Sequence, residues 1–216
     1  MKKEKLKRLW LALGFLVAFI LWTVLVKFVD VKPIGPKGSK VGLAAINGFF
    51  SGVIGKNLTL YVITDWLGLL PIATVLCFAV LGLNQWIKRK SLFKVDRDLI
   101  TLGVFYIVVI AVYILFEVIV INYRPILING YLESSYPSST TMLVTCVMPT
   151  ALMQVNSRVK NKHLKKFILY FIITFIAFMV IGRLVSGVHW LSDIIGGALF
   201  SIGIVTLYHC FVFKGV

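Results

Sequence analysis

Six stretches of this chain, at about residues 9–29, 65–87, 99–121, 138–155, 167–185 and 188–211, are apolar over lengths that match the hydrocarbon core of a bilayer. That core is about 30 Å thick and takes roughly 20 apolar residues per helix. Inside it, backbone N–H and C=O groups must be satisfied within the segment itself, which favours helices at this length. Of the 216 residues, 59% are hydrophobic, and the mean hydropathy is +0.95. A soluble domain of this size could not cover that much apolar surface. The expectation is an all-α, polytopic membrane protein with six transmembrane helices. The fourth stretch is short and carries Thr residues and Pro149, and Asp193 interrupts the sixth. Basic residues precede the first stretch, as in a signal peptide. Its apolar run is too long for one, and no small-residue cleavage site follows closely, so it reads as an uncleaved helix.

Charge orients the helices. Lys2, Lys3, Lys5, Lys7 and Arg8 precede the first; Lys88, Arg89, Lys90, Lys94 and Arg97 follow the second; Arg158, Lys160, Lys162, Lys165 and Lys166 follow the fourth. With Lys214, one side holds 16 of the 23 basic residues, so both termini are expected in the cytoplasm. The formal net charge of +15 does not point to nucleic acid. Its basic residues sit in short loops beside apolar stretches, where topology and anionic headgroups account for them. The partners expected are membrane lipids, in a plasma membrane of bacterial type. Cys77, Cys146 and Cys210 lie in apolar stretches and read as small apolar residues, not as a disulfide framework.

The chain reads as one membrane domain, 1–216, without internal repeats. Its longest non-spanning piece, 30–64, is an outer loop that opens on a turn-rich Pro/Gly run. Within it Val41–Gly55 is mildly apolar and too short to span. It is expected as an interfacial helix or re-entrant turn, either one wall of a site or a spacer.

Polar residues converge on the outer side. Arg183, His189 and Asp193 fall within eleven residues near the start of the sixth stretch. Ionisable groups in such segments are costly and mark function. The four-residue spacing of His189 and Asp193 suits a carboxylate that orients an imidazole. Arg124, with Pro125, is expected to close the third helix, and Ser138, Ser139, Thr140 and Thr141 to open the fourth. A hydroxyl-rich helix N-terminus offers free N–H groups to a phosphate, and it equally serves as an ordinary cap. Two arginines could grip phosphate oxygens, with Ser138 and nearby backbone N–H groups completing the cradle. His189 could attack phosphorus through a ring nitrogen. With arginines supplying positive charge, no metal and no cofactor is expected.

These residues resemble the type 2 phosphatidic acid phosphatase family, membrane lipid phosphatases related to vanadium haloperoxidases. Its motifs are Lys-x6-Arg-Pro, Pro-Ser-Gly-His and Ser-Arg-x5-His-x3-Asp. The third matches at Arg183, His189 and Asp193, with Gly182 in place of Ser. The first matches at Arg124 and Pro125, the second at Pro137 and Ser138, and the resemblance covers about 60–211. It implies His189 as nucleophile, Asp193 as its partner, and Arg124, Arg183, Ser138 and Ser139 as phosphate ligands. The product would be released through a phosphohistidine at the extracytoplasmic face. Two positions depart from the pattern. Glu117 stands where the family has Lys, and is expected buried, on the same helix face as Arg124 and about 10 Å deeper. Thr140 stands where the family has the His that protonates the leaving group. A leaving group that needs little help, as in an isoprenoid diphosphate, would suit that loss; Glu117 or Glu133 could also supply the proton. The expected function is hydrolysis of a lipid phosphate or diphosphate, of isoprenoid or phosphatidate type. The alternatives are a lipid phosphotransferase of the same fold and a catalytically silent lipid-phosphate binder or transporter.

Overall fold

The computed structural model describes residues 2–212, so Lys214 lies outside the described residues. Eight α-helices follow one another: α1 (Lys2–Phe28), α2 (Ala44–Ile54), α3 (Leu58–Leu67), α4 (Leu69–Arg89), α5 (Arg97–Val118), α6 (Ser139–Arg158), α7 (Lys162–Val185) and α8 (Leu191–Val212). No strand forms among the described residues, only isolated bridges such as Tyr123 with Ser134.

Among the described residues, five helical segments are long and apolar enough to cross a membrane: α1, α3 with α4 as one run, α5, α7 and α8. Gly68, at the joint of α3 and α4, keeps helical angles, so the two run on without a sharp break. Their outward faces carry large apolar side chains, Ile107 at 67% and Val118 at 78% exposure among them. So continuous an apolar surface suits hydrocarbon and not water.

The fourth apolar stretch gives α6, which is long enough but carries more polar residues. The reason is its position. It packs against α4, α5, α7 and α8, and half of it is buried in protein. Its polar groups bond inside: Thr150 Oγ1 donates to Cys146 O at 2.8 Å and meets Tyr106 Oη at 3.1 Å, and Gln154 Nε2 donates to Tyr208 Oη at 2.5 Å. A helix surrounded by helices does not need an apolar exterior.

The core joins α1 to the later helices. Phe19 packs against Phe200 (5.4 Å between centroids) and Phe116 (5.8 Å), and Phe116 meets Tyr136 edge-on. Trp22 Nε1 donates to Ser192 O at 3.0 Å, and Thr23 Oγ1 lies 2.7 Å from Tyr136 Oη. These bonds fix α1 against the loop before α6 and the first turn of α8.

Two expectations need correcting. The third helix does not reach Arg124: α5 ends at Val118, and Ile119 leaves the helical region (φ −95°, ψ 83°). The chain then turns around Asn122, which is fully buried. Its side chain accepts from Gly42 N at 3.1 Å, and its carbonyl accepts from Ser135 N at 3.0 Å. These bonds outweigh continuation of the helix, so Arg124 sits in a loop and not two turns above Glu117. Glu117 is also exposed, not buried, because the chain beyond it folds away.

Candidate functional site

The loop from Asn122 to Ser138, the α7–α8 turn, α2 and α3 meet at one end of the bundle. His189 stands just before α8, 4% exposed. Its Nδ1 lies 3.1 Å from Ser135 O and 3.6 Å from Asp193 Oδ2. A carbonyl can only accept, so Nδ1 carries the proton and Nε2 keeps its lone pair. Nε2 is buried and has no hydrogen-bond partner. Burial, and then the charges of Arg124 and Arg183, hold the His189 pKa well below the usual histidine range, against the pull of the Ser135 bond. The ring is therefore neutral at ordinary pH, with a free nitrogen aimed away from its anchor.

The sequence pairing of His189 with Asp193 is present, but Asp193 has a second task. Its Oδ2 accepts from Trp190 N at 2.9 Å, and Ser192 Oγ donates to Oδ1 at 3.3 Å. With Trp190 at the N-cap position, Asp193 is the third helical residue and closes the first turn of α8 as the acidic half of a capping box. The closer anchor of the ring is Ser135 O.

Arg183 is 1% exposed at the end of α7. Its Nη1 lies 3.5 Å from Thr64 Oγ1 and 3.6 Å from Asp65 Oδ1, and its guanidinium sits 5.0 Å over the Tyr61 ring. Its Nε has no partner. All three neighbours belong to α3. Gly182 permits this approach, because a Cβ there would lie 2.8 Å from Thr64 Cγ2. That accounts for Gly where the motif has Ser. Arg124 Nε is 3.1 Å from Glu133 Oε2 as an ion pair without hydrogen-bond direction, and Arg124 Nη1 is buried and unpartnered. Buried, under-satisfied guanidinium nitrogens beside a bare imidazole nitrogen form an anion-seeking cluster.

Ser138 caps α6: its Oγ accepts from Thr141 N at 3.4 Å, while its own N–H donates to Asp193 O at 3.1 Å. Its hydroxyl and amide are thus engaged in structure. The N–H groups of Ser139 and Thr140 have no carbonyl within the helix and are the ones open to an anion. Ser139 is half-buried and Thr140 buried. His189, Ser139, Glu117, Tyr113 and Ser134 line one small pocket, too narrow for a lipid chain. Ser139 and Tyr113 also border a larger apolar groove between α4, α5 and α6, which Asp65 and Thr140 line as well. Glu117 Oε2 accepts from Ser134 Oγ. Two lysines of the 30–64 segment are engaged elsewhere: Lys32 pairs with Asp30 at 2.8 Å and Lys37 donates to Gly130 O at 3.0 Å. Among the described residues, no group of three or more His, Cys, Asp or Glu is arranged to hold a metal ion.

Several contributing residues escaped the sequence reading. Asn47, buried in α2, accepts from Ser192 N at 3.1 Å and donates to Ser192 Oγ at 2.9 Å, bracing the start of α8. Asp65 carried a signal: it is an acid at the edge of an apolar stretch, where a partner is expected. Ser135 acts through its carbonyl, which no side-chain pattern reveals.

The turn that delivers His189 rests on Gly187, at φ +69°, where a Cβ would stand 2.1 Å from Gly55 O. Gly187→Ala is expected to cost about 1–3 kcal/mol through the positive φ and this backbone clash. The loss should appear as a lower thermal midpoint in detergent and, because His189 is displaced, as a disproportionate loss of activity.

Residues 118–216 match the PAP2 superfamily. The crystal structure of the first transmembrane PAP2-type phosphatidylglycerolphosphate phosphatase from Bacillus subtilis has a similar fold, with a TM-score of 0.63 and 16% sequence identity over 93% of this chain and 94% of that one. No curated protein matches the chain significantly.

Proposed function

Through residues 118–216 the chain belongs to the type 2 phosphatidic acid phosphatase (PAP2) superfamily, and from that premise we propose that it is an integral membrane phosphatase acting on a lipid phosphate or diphosphate. The observation that carries this reading is the bare, buried Nε2 of His189 beside unpartnered nitrogens of Arg124 and Arg183. Pure binding of a lipid phosphate needs the arginines but not a nucleophile held in one tautomer.

In this mechanism the phosphate binds against His189 Nε2 and is held by Arg124, Arg183 and the N–H groups of Ser139 and Thr140. His189 Nε2 attacks phosphorus, displaces the lipid oxygen and becomes phosphohistidine. Asp193 stabilises the ring as it gains charge. Water then releases phosphate. The apolar groove that meets the pocket at Ser139 and Tyr113 suits the lipid chain. In the topology proposed here α6 completes six spans, both termini lie in the cytoplasm and the site faces the extracytoplasmic side of a plasma membrane, following the basic loops. Substrates are isoprenoid diphosphates or phosphatidate-type monophosphates.

Purified protein in detergent should release orthophosphate from a panel of lipid mono- and diphosphates. Absence of release from the whole panel would favour the silent binder. Release that gives way to a phosphorylated alcohol, when an acceptor is added and products are weighed by mass spectrometry, would favour the phosphotransferase. Thr140→His is expected to raise turnover of lipid monophosphates, whose poor leaving group needs a proton, by a larger factor than that of diphosphates. Equal effects on both substrate classes would count against that use of position 140.

A further inference from the structure

The phosphatase reading leaves one task without an owner, since Thr140 cannot protonate the departing oxygen. Four carboxylates belong to the candidate site or to its arginine partners. Asp193 is behind the ring, closing the first turn of α8. Asp65 is 3.6 Å from Arg183, and Glu133 is 3.1 Å from Arg124. Asp65 and Glu133 are thus each already engaged with a guanidinium. Glu117 differs from all three. Among the described residues it makes no ion pair with Lys or Arg; it accepts from the hydroxyl of Ser134 and has the Tyr113 phenol as a second hydrogen-bonding neighbour. It lines the same pocket as His189 and Ser139.

We propose that Glu117, reaching into the pocket it shares with His189, is the proton carrier of the reaction: acid for the leaving oxygen, then base for the attacking water. The inference rests on the phosphatase reading above. In the first step the P–N bond to His189 Nε2 forms as the P–O bond to the lipid breaks. The carboxylic acid of Glu117 gives its proton to the departing oxygen, which leaves as an alcohol or as the lipid monophosphate. In the second step water attacks phosphorus, and the Glu117 carboxylate takes a water proton. The P–N bond breaks, orthophosphate departs, and both His189 and the Glu117 acid are restored. The residue that departs from the motif as a lost positive charge thereby supplies the function lost at position 140.

The test compares wild type, Glu117→Gln and Glu117→Asp as full-length purified protein, with phosphatidate in mixed micelles and with p-nitrophenyl phosphate. Wild type should turn over both. Glu117→Gln should lose about 10²–10⁴-fold in phosphatidate turnover. With p-nitrophenyl phosphate, whose phenolate leaves without a proton, it should release one equivalent of nitrophenolate in a burst. It should then stall with phosphate on His189, detected by mass spectrometry, because water is no longer deprotonated. Glu117→Asp should retain partial turnover, and an unchanged thermal midpoint separates lost chemistry from lost folding. Wild-type turnover by Glu117→Gln, or a folded variant that loses both substrates without burst or phosphohistidine, overturns the assignment of Glu117 while the phosphatase reading stands. A wild type inactive on both substrates overturns the phosphatase reading, and this inference with it.

Discussion

His189→Ala is expected to lower phosphate release by roughly 10⁴-fold or more, the scale seen when a nucleophile that works in concert with its partners is removed. The size follows from how the ring is held. Ser135 O accepts a hydrogen bond from Nδ1, and burial keeps the ring neutral, so in the proposed mechanism Nε2 can attack without prior deprotonation. No other described histidine is near: His209 lies by Arg8 near the far end of α8, and His163 is in the first turn of α7. Stability should fall much less, because Nε2 makes no bond and loss of the Nδ1 contact strands only the Ser135 carbonyl, worth about 1–3 kcal/mol. Orthophosphate release and acid-labile phosphate on the protein are the two measurements. A variant that releases phosphate as fast as wild type ends the phosphohistidine mechanism. A variant that still binds a lipid phosphate with unchanged affinity is expected, since the arginines remain.

Arg183→Lys should cost nearly as much as Arg183→Ala, about 10²–10³-fold in kcat/KM, the scale for removal of one preorganised donor to developing charge. Lysine keeps the charge and loses the planar fork. The Arg183 guanidinium lies on the Tyr61 ring and near Thr64 and Asp65 at once; an ammonium cannot do all three and still present a second nitrogen to phosphate. Asp65→Asn is the contrast. That carboxylate is 60% exposed, so its ion pair contributes little to folding. The variant should fold normally, with Arg183 less tightly oriented and a smaller loss of activity. If Arg183→Lys retains wild-type kcat/KM, bidentate phosphate capture at this position is wrong.

The helices were legible because hydrocarbon imposes one rule on every span: length and apolarity together. That rule located α1, α4, α5, α7 and α8 to within a few residues at most ends. It missed the first seven residues of α1, where Lys and Arg cluster, and the first seven of the ten residues of α3. Helix α6 was legible by length and illegible by environment, since packing on all sides replaces the lipid that the rule assumes. The third-motif residues were legible as costly polar groups at fixed spacing. The burial of Asn122 was not, and it is what bends the chain after Val118 and separates Arg124 from Glu117. A tight loop held by an asparagine side chain and a carbonyl has no periodicity to read. Nor could the spacing of His189 and Asp193 show that the carboxylate would also close a helix turn, or that a serine carbonyl would stand closer to the ring.

The family match begins at residue 118, while Trp22, Asn47, Thr64 and Asp65 all precede it and brace the candidate site. A sequence change in α1, α2 or α3 can therefore produce the phenotype of an active-site lesion while every recognisable motif stays intact. When variants of this chain are sorted into harmless and harmful, distance from the motif residues along the sequence is a misleading guide. Substitutions at Trp22 or Thr64 belong with those at Arg183 and His189, and an inventory of motifs would file them as neutral.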